Sequence, residues 1–210
     1  MHKRFLLFAL VLLPFIAVSQ NTKANYRNQI KFSAFRTINF LNPGVEFSYE
    51  RLHTNKLSTS ISAGIATNAL GGAYTKLRGF NMGAEEKYFL SKKIKRGNYF
   101  SVAVNHSAVK YQDDTYGNDM INNRRIIDTF TISRKTTSLS FIYGIEYYKK
   151  HFLLDINLGA GIKYRNVKHY DRIFEYIGPR EAFDLDRAAN VEGARFAAYL
   201  PIHIQLGYRF

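Results

Sequence analysis

Arg195-Phe196-Ala197-Ala198-Tyr199-Leu200-Pro201-Ile202-His203-Ile204-Gln205-Leu206-Gly207-Tyr208-Arg209-Phe210 closes the chain. Phe196, Ala198, Leu200, Ile202, Ile204, Leu206, Tyr208 and Phe210 are apolar, and Arg195, His203, Gln205, Gly207 and Arg209 fall between them. Successive side chains of a strand point to opposite faces, so the stretch carries one apolar and one polar face over its whole length. A tilted strand crosses a bilayer in roughly 9–11 residues, and this run is longer. The pattern predicts one strand of a membrane barrel, apolar toward lipid and polar toward a lumen.

The same alternation recurs upstream, in Asn28 to Thr37, Gly44 to Leu52, Leu57 to Thr67, Thr75 to Leu90, Tyr99 to Tyr111, Thr136 to Tyr148 and Phe152 to Val167. The expected fold is all-β, an eight-stranded antiparallel transmembrane up-and-down β-barrel, at roughly the size where side chains fill the interior. Two places leave the register open. Glu86 lands on the apolar face of the fourth strand, which puts it either near lipid headgroups or beside a bulge, and the alternation fades beyond His106. The links His53 to Lys56, Ser91 to Asn98 and Lys149 to His151 are short to moderate, whereas Gln112 to Lys135 and Lys168 to Ala194 are long. That is the arrangement of short periplasmic turns and long extracellular loops. A soluble β-sandwich would also alternate, but it gives no reason for near-full-length terminal strands, aromatic strand ends and a final Phe together.

Met1-His2-Lys3-Arg4, the apolar run Phe5 to Ala17, and Ala17-Val18-Ser19 before Gln20 form a basic region, an apolar core and a small-residue cleavage box. Residues 1–19 therefore read as a secretory signal peptide, 20–27 as a short periplasmic segment and 28–210 as the barrel. The absence of cysteine excludes lipoprotein processing at the cleavage point, as well as disulfides and thiol chemistry. Mean hydropathy is only -0.24, as expected when every second residue faces lipid, while Tyr 15 and Phe 17 supply interfacial rings. The formal charge of +14 falls to +12 when Lys3 and Arg4 leave with the signal. These cations are scattered over turns, loops and alternate strand positions and form no stripe interleaved with stacking aromatics, so no nucleic acid partner is expected. Anionic headgroups and lipopolysaccharide are the expected electrostatic partners.

The opening Asn28-Gln29-Ile30-Lys31, then Gly44-Val45-Glu46-Phe47-Ser48-Tyr49-Glu50-Arg51-Leu52, then Leu57-Ser58 leading to Ala63-Gly64-Ile65, resembles small Gram-negative outer-membrane β-barrel proteins grouped as a domain of unknown function, with OmpA/OmpX-like architecture. Tyr49-Glu50-Arg51 carries most of the resemblance, which covers the first four strands. Gly207-Tyr208-Arg209-Phe210 is similar to the terminal signal that such proteins present to the barrel-assembly machinery, which assigns Tyr208 and Phe210 to assembly. The resemblance implies a fold and an outer-membrane location, and no catalytic or binding residues.

Parity along the strands sends Glu46, Glu50, Glu85, Lys87, Glu146, Asp155, Lys163, Arg165, His203 and Arg209 to the lumen. Opposite charges in a narrow barrel are expected to pair and plug it, because an unpaired charge out of water costs several kcal/mol. The alternative is a narrow channel for small solutes. A lipid-modifying enzyme is another, with His106-Ser107 or His169 and Asp171 as its candidate pairs. Neighbouring strand residues face opposite ways, which weakens the first, and the second has no serine, so no enzyme activity is expected. Asp113, Asp114, Asn118 and Asp119, or Asp184 with Asp186, could offer oxygen ligands. Their spacing departs from a calcium loop, Gly117 reads as a turn residue, and neither a metal nor a cofactor is expected. Gly159-x-Gly161 lies within a strand and opens no helix, so crowding accounts for it better than nucleotide binding does. The expected role is non-enzymatic: structural, or surface interaction with an extracellular ligand through the two long loops, whose apolar anchors include Ile126, Ile127, Phe130, Phe174 and Phe183.

Overall fold

The computed structural model describes residues 26–33, 43–68, 75–92, 96–119, 124–172 and 190–210, and only the backbone of 91, 92, 115–119 and 124–126. The expected signal segment, the loop residues Asp184 and Asp186, and the expected anchors Phe174 and Phe183 lie outside the described residues. The strands are β1 (Asn28–Ser33), β2 (Gly44–Leu52), β3 (Leu57–Thr67), β4 (Thr75–Lys92), β5 (Arg96–Asp119), β6 (Arg124–Lys149), β7 (Phe152–Tyr170), β8 (Gly193–Tyr199) and β9 (Ile202–Arg209). β1 through β7 pair antiparallel with their sequence neighbours, and β8 and β9 both pair with β7. β9 also pairs with β1, setting Ile30 opposite Tyr208 and Phe32 opposite Leu206. Asn28 and Phe210 exchange backbone hydrogen bonds of 3.0 and 2.8 Å across this seam. The result is a closed antiparallel up-and-down barrel of eight strands, because β8 and β9 are two halves of one.

Pro201 divides that last strand without shifting it: Gly161 faces Tyr199 above the break and Leu158 faces Ile202 below it, so the register is continuous. The Pro201 carbonyl accepts from the Gly159 N–H at 2.9 Å, but proline has no N–H to return the bond. Glu86 sits in an equally regular ladder, opposite Thr59 on one side and Val102 on the other. The irregularities of β4 fall between Thr75 and Arg78 and between Phe89 and Ser91, so no bulge explains Glu86. It points outward.

The outward face is apolar and open, with Phe141 66% and Phe152 67% exposed and Ile61, Phe100, Leu158 and Leu206 beside them in the same state. Such a surface is much larger than a soluble protein leaves uncovered. The alternation expected from sequence thus holds over the lower part of the wall, apolar side chains outside and polar ones inside.

The first of the two long links is the main departure from the sequence reading. Instead of a loop from Gln112 to Lys135, β5 and β6 continue as a hairpin in which Asp113 faces Phe130, Tyr116 faces Ile127 and Asp119 faces Arg124. Gly117 is therefore a strand residue opposite Ile126 and marks no turn. In the upper part of these strands the inward face packs an apolar cluster while the outward face turns polar, so the polar-in, apolar-out alternation no longer marks them, and β-branched and aromatic residues sustain the pairing. Deleting residues 113–130 and joining the stubs with a short glycine turn should leave a closed barrel. The boiling-dependent gel shift of the deletion variant checks this, and its disappearance would mean that the hairpin holds the wall together.

Candidate functional site

Near the end of the barrel that carries the short turns, five charged side chains from five strands meet inside the lumen. Lys31 Nζ lies 2.7 Å from Glu50 Oε2, 2.6 Å from Glu146 Oε1 and 2.7 Å from Asp155 Oδ2. Lys87 Nζ lies 3.1, 3.1 and 2.7 Å from the same three oxygens. Two ammonium groups thus share three carboxylates. The remaining oxygens meet hydroxyls: Ser58 donates to Glu50 at 2.6 Å, Tyr148 to Glu146 at 2.5 Å and Tyr99 to Asp155 at 2.7 Å. Asn157 donates to the Tyr99 hydroxyl at 3.2 Å, and Lys87 lies 4.2 Å from the Tyr99 ring centre. Glu50, Glu146 and Asp155 are completely buried. Taking charges out of water is tolerable only when each is paired and its remaining lone pairs are filled, and here both conditions are met.

The three carboxylates approach one another closely enough to suggest a cation site. The two lysine ammonium groups already stand among them. The cluster is a structural ion network whose cations are its own side chains.

Above the network the lumen holds amides, hydroxyls and two further carboxylates, and then turns apolar. Asn81 donates to Glu46, Ser101 donates to Glu85 at 2.6 Å, and a cavity of about 30 Å³ beside them is lined in part by His203 and Gln205. That is room for water and no more. Higher still, Ala66, Leu77, Val109, Tyr111, Phe130, Ile132 and Val167 form a buried apolar cluster. Tyr111 donates to Asn190, Arg134 lies 5.4 Å from the Tyr111 ring centre, and Arg172 lies 4.8 Å from that of Phe130. Among the described residues, the lumen is filled by an ionic layer below and an apolar layer above.

Of the ten lumen residues expected from sequence, Glu50, Lys87, Glu146 and Asp155 come together. Glu46, Glu85 and His203 lie in the middle layer. Lys163 approaches the Tyr199 ring at 5.4 Å, and Arg165 faces Arg195 across the β7–β8 ladder. Arg209 packs on the rings of Tyr148 and Tyr26 at 4.5 and 4.8 Å and donates to the Lys150 carbonyl at 2.7 Å. Lys31, Tyr99 and Tyr148 were absent from the expected set. Strand parity alone would have found Lys31, since Gln29, Lys31 and Ser33 are the buried residues of β1.

The remaining candidates are dispersed. His106 faces outward and bonds Thr137 at 2.9 Å, while Ser107 lies on the opposite side of the strand. His169 is engaged by the Asn190 carbonyl at 2.7 Å and by Arg172 at 2.9 Å, and Asp171 is exposed at a positive φ of 62°. Asp113 and Asp114 are consecutive strand residues that diverge to opposite faces, which does not make a chelate. Tyr208 stacks on His151 with ring centres 5.3 Å apart and meets Phe152 edge-on at 5.9 Å, outside the barrel. No protein-family model matches the chain, and no significant match is found among curated proteins. Among solved structures, one similar chain is the N-terminal β-barrel domain of Pseudomonas aeruginosa OprF. It is 11% identical over 88% of this chain and 98% of that one, with a TM-score of 0.38.

One polar group stands outside the lumen. The Thr59 hydroxyl donates to Glu86 Oε2 at 2.6 Å and lies 2.7 Å from His53 Nε2 in the neighbouring turn. Burial, and then the Arg51 guanidinium, hold the His53 imidazole below its ordinary value of 6.5. A depressed histidine favours folding while it is neutral, so this stabilisation is complete above the ordinary value and is lost as the pH falls below it. Acidification from about pH 7 to about pH 5 should therefore destabilise the wild type more than His53→Gln. Urea midpoints of the two proteins at both pH values check this.

Proposed function

We propose that this chain is a non-enzymatic barrel of a bacterial outer membrane that seals instead of conducting and acts through what it presents beyond the wall. The observation that carries the reading is the combination of a closed, apolar outer face with an interior filled by an ion network and an apolar cluster. An apolar exterior of this extent is stable in lipid and costly in water. A filled interior argues for a structural or surface role over passage of small solutes. The extended β5–β6 hairpin and the segment between β7 and β8 are the parts available to an extracellular ligand. Lipopolysaccharide and phospholipid are the surrounding partners, and Tyr208 and Phe210, in the seam strand or directly after it, fit recognition by the assembly machinery.

Fractionation tests the location. Protein in the outer-membrane fraction whose gel mobility changes on boiling supports the reading, and a soluble periplasmic protein without that change contradicts it. Within that frame, deleting the hairpin together with residues 173–189 should abolish any surface binding or envelope phenotype. Retention of both would assign the role to the barrel wall.

A further inference from the structure

Apart from the His106–Thr137 pair higher on the wall, the outward face carries a row of polar residues near the short turns. Lateral pairing places Asn28 beside Arg51, Arg51 beside Thr59, Thr59 beside Glu86, and Glu86 beside Val102, where the row ends. The next outward row on the three central strands is Tyr49, Ile61 and Ala84. Leu57 and Tyr88 lie on the other side, by the short turn. The polar row thus lies toward the short turns: Asn28 opens β1, Arg51 is the penultimate residue of β2 and Thr59 is two residues into β3, at the depth where an apolar belt gives way to headgroups.

The charges in this row are arranged for a ligand that carries both signs. Arg51 is exposed and has no ion-pair or hydrogen-bond partner among the described residues. Glu86 is half-buried, and only its Oε2 is engaged, by Thr59. Adjacent strands lie about 4.8 Å apart, so the Arg51 and Glu86 backbones are roughly 10 Å apart, across the short side chain of Thr59. His53 fixes Thr59 from the turn side and thereby fixes Glu86. The cation and the anion make no direct ion pair, and Thr59 stands between them.

We propose that this row is a binding site for a zwitterionic phospholipid with a primary ammonium group, a phosphatidylethanolamine headgroup. Its phosphate meets Arg51 and its ammonium donates to the free oxygen of Glu86. The headgroup spans Thr59, and one acyl chain follows the wall over Ile61, Ala63 and Ala84. A choline headgroup has the same charges but no N–H to donate, and a glycerol headgroup has no cation for Glu86. The site therefore discriminates by hydrogen bonding at Glu86. This inference rests on the membrane-spanning reading above.

The test uses the full-length protein purified from membranes in mild detergent, mixed with equal amounts of phosphatidylethanolamine, phosphatidylcholine and phosphatidylglycerol, and read by native mass spectrometry. The wild type should retain phosphatidylethanolamine about tenfold over phosphatidylcholine, the scale of one charge-assisted hydrogen bond. Glu86→Gln should bring that ratio close to one. Arg51→Gln should lower retention of all three lipids and leave the ratio unchanged. Equal retention of the ethanolamine and choline lipids by the wild type, or a preference that survives Glu86→Gln, would overturn the site. So would a stable dimer that Glu86→Gln dissolves, since it would assign the row to a contact between copies. The boiling-dependent shift, run on each sample, separates failure of this site from failure of the membrane reading: loss of the shift in the wild type removes both.

Discussion

Replacing Lys31 with Met is expected to destabilise the folded barrel by about 3–5 kcal/mol, the usual cost of removing one partner from a buried ion network. Lys31 meets three carboxylates within 2.7 Å, and without it Lys87 is left to neutralise all of them in a site closed to water. Hydroxyl donors already occupy the outer oxygens, so the surroundings hold no spare donor. Pairing the change with Glu146→Gln removes one negative charge with the positive one, and the double variant should recover part of the loss. The chain has no Trp, so unfolding is best followed in urea by the disappearance of the fast-migrating unboiled gel band. A Lys31→Met protein as stable as the wild type would mean that the network is not closed in the membrane.

The second large effect is expected at Gly144. A Cβ added there would stand 2.2 Å from the Tyr99 ring carbon that bears the hydroxyl. Tyr99 cannot yield cheaply, because its hydroxyl donates to Asp155 and Lys87 packs over its ring. Gly144→Ala should therefore cost about 1–3 kcal/mol through overpacking, with the lost hydrogen bond adding to it. Trimming the obstacle with Tyr99→Leu in the same chain should make the alanine less costly than it is alone. A double-mutant cycle in urea measures this, and additive effects would show that the two positions do not touch.

The wall of the barrel was legible in the sequence because an apolar outer face and a polar lumen impose strict alternation on each strand between them. Gly44–Leu52 and Leu57–Thr67 have the bounds that alternation marks out. Legibility fails where that outer apolar belt ends. Beyond His106 the inward residues Val109 and Tyr111 join an apolar cluster while Lys110 faces outward, so the polar-in, apolar-out rule reverses and the register cannot be read. The same reversal made the paired segments from Asp113 to Phe130 look like a loop.

Within the lumen, parity identified Glu50, Lys87, Glu146 and Asp155 as inward residues but not as partners. Lys31 and Asp155 are 124 positions apart, and their meeting depends on ring closure and stagger, which no single strand encodes. Tyr99 and Tyr148 were hidden for another reason. Aromatic residues near strand ends suggest an interfacial girdle, yet these two turn inward, and their hydroxyls complete the carboxylate shells.

The central claim, a membrane barrel with a closed lumen, is tested most directly by conductance across a planar bilayer into which the purified protein has been inserted, with folding confirmed by the gel shift. The wild type should give no discrete current steps, and Lys31→Met should raise current above that baseline if the ionic layer is the seal. Steady, ohmic steps from the wild type would contradict the account, because they require a continuous water path through the layer that Lys31, Lys87, Glu50, Glu146 and Asp155 fill.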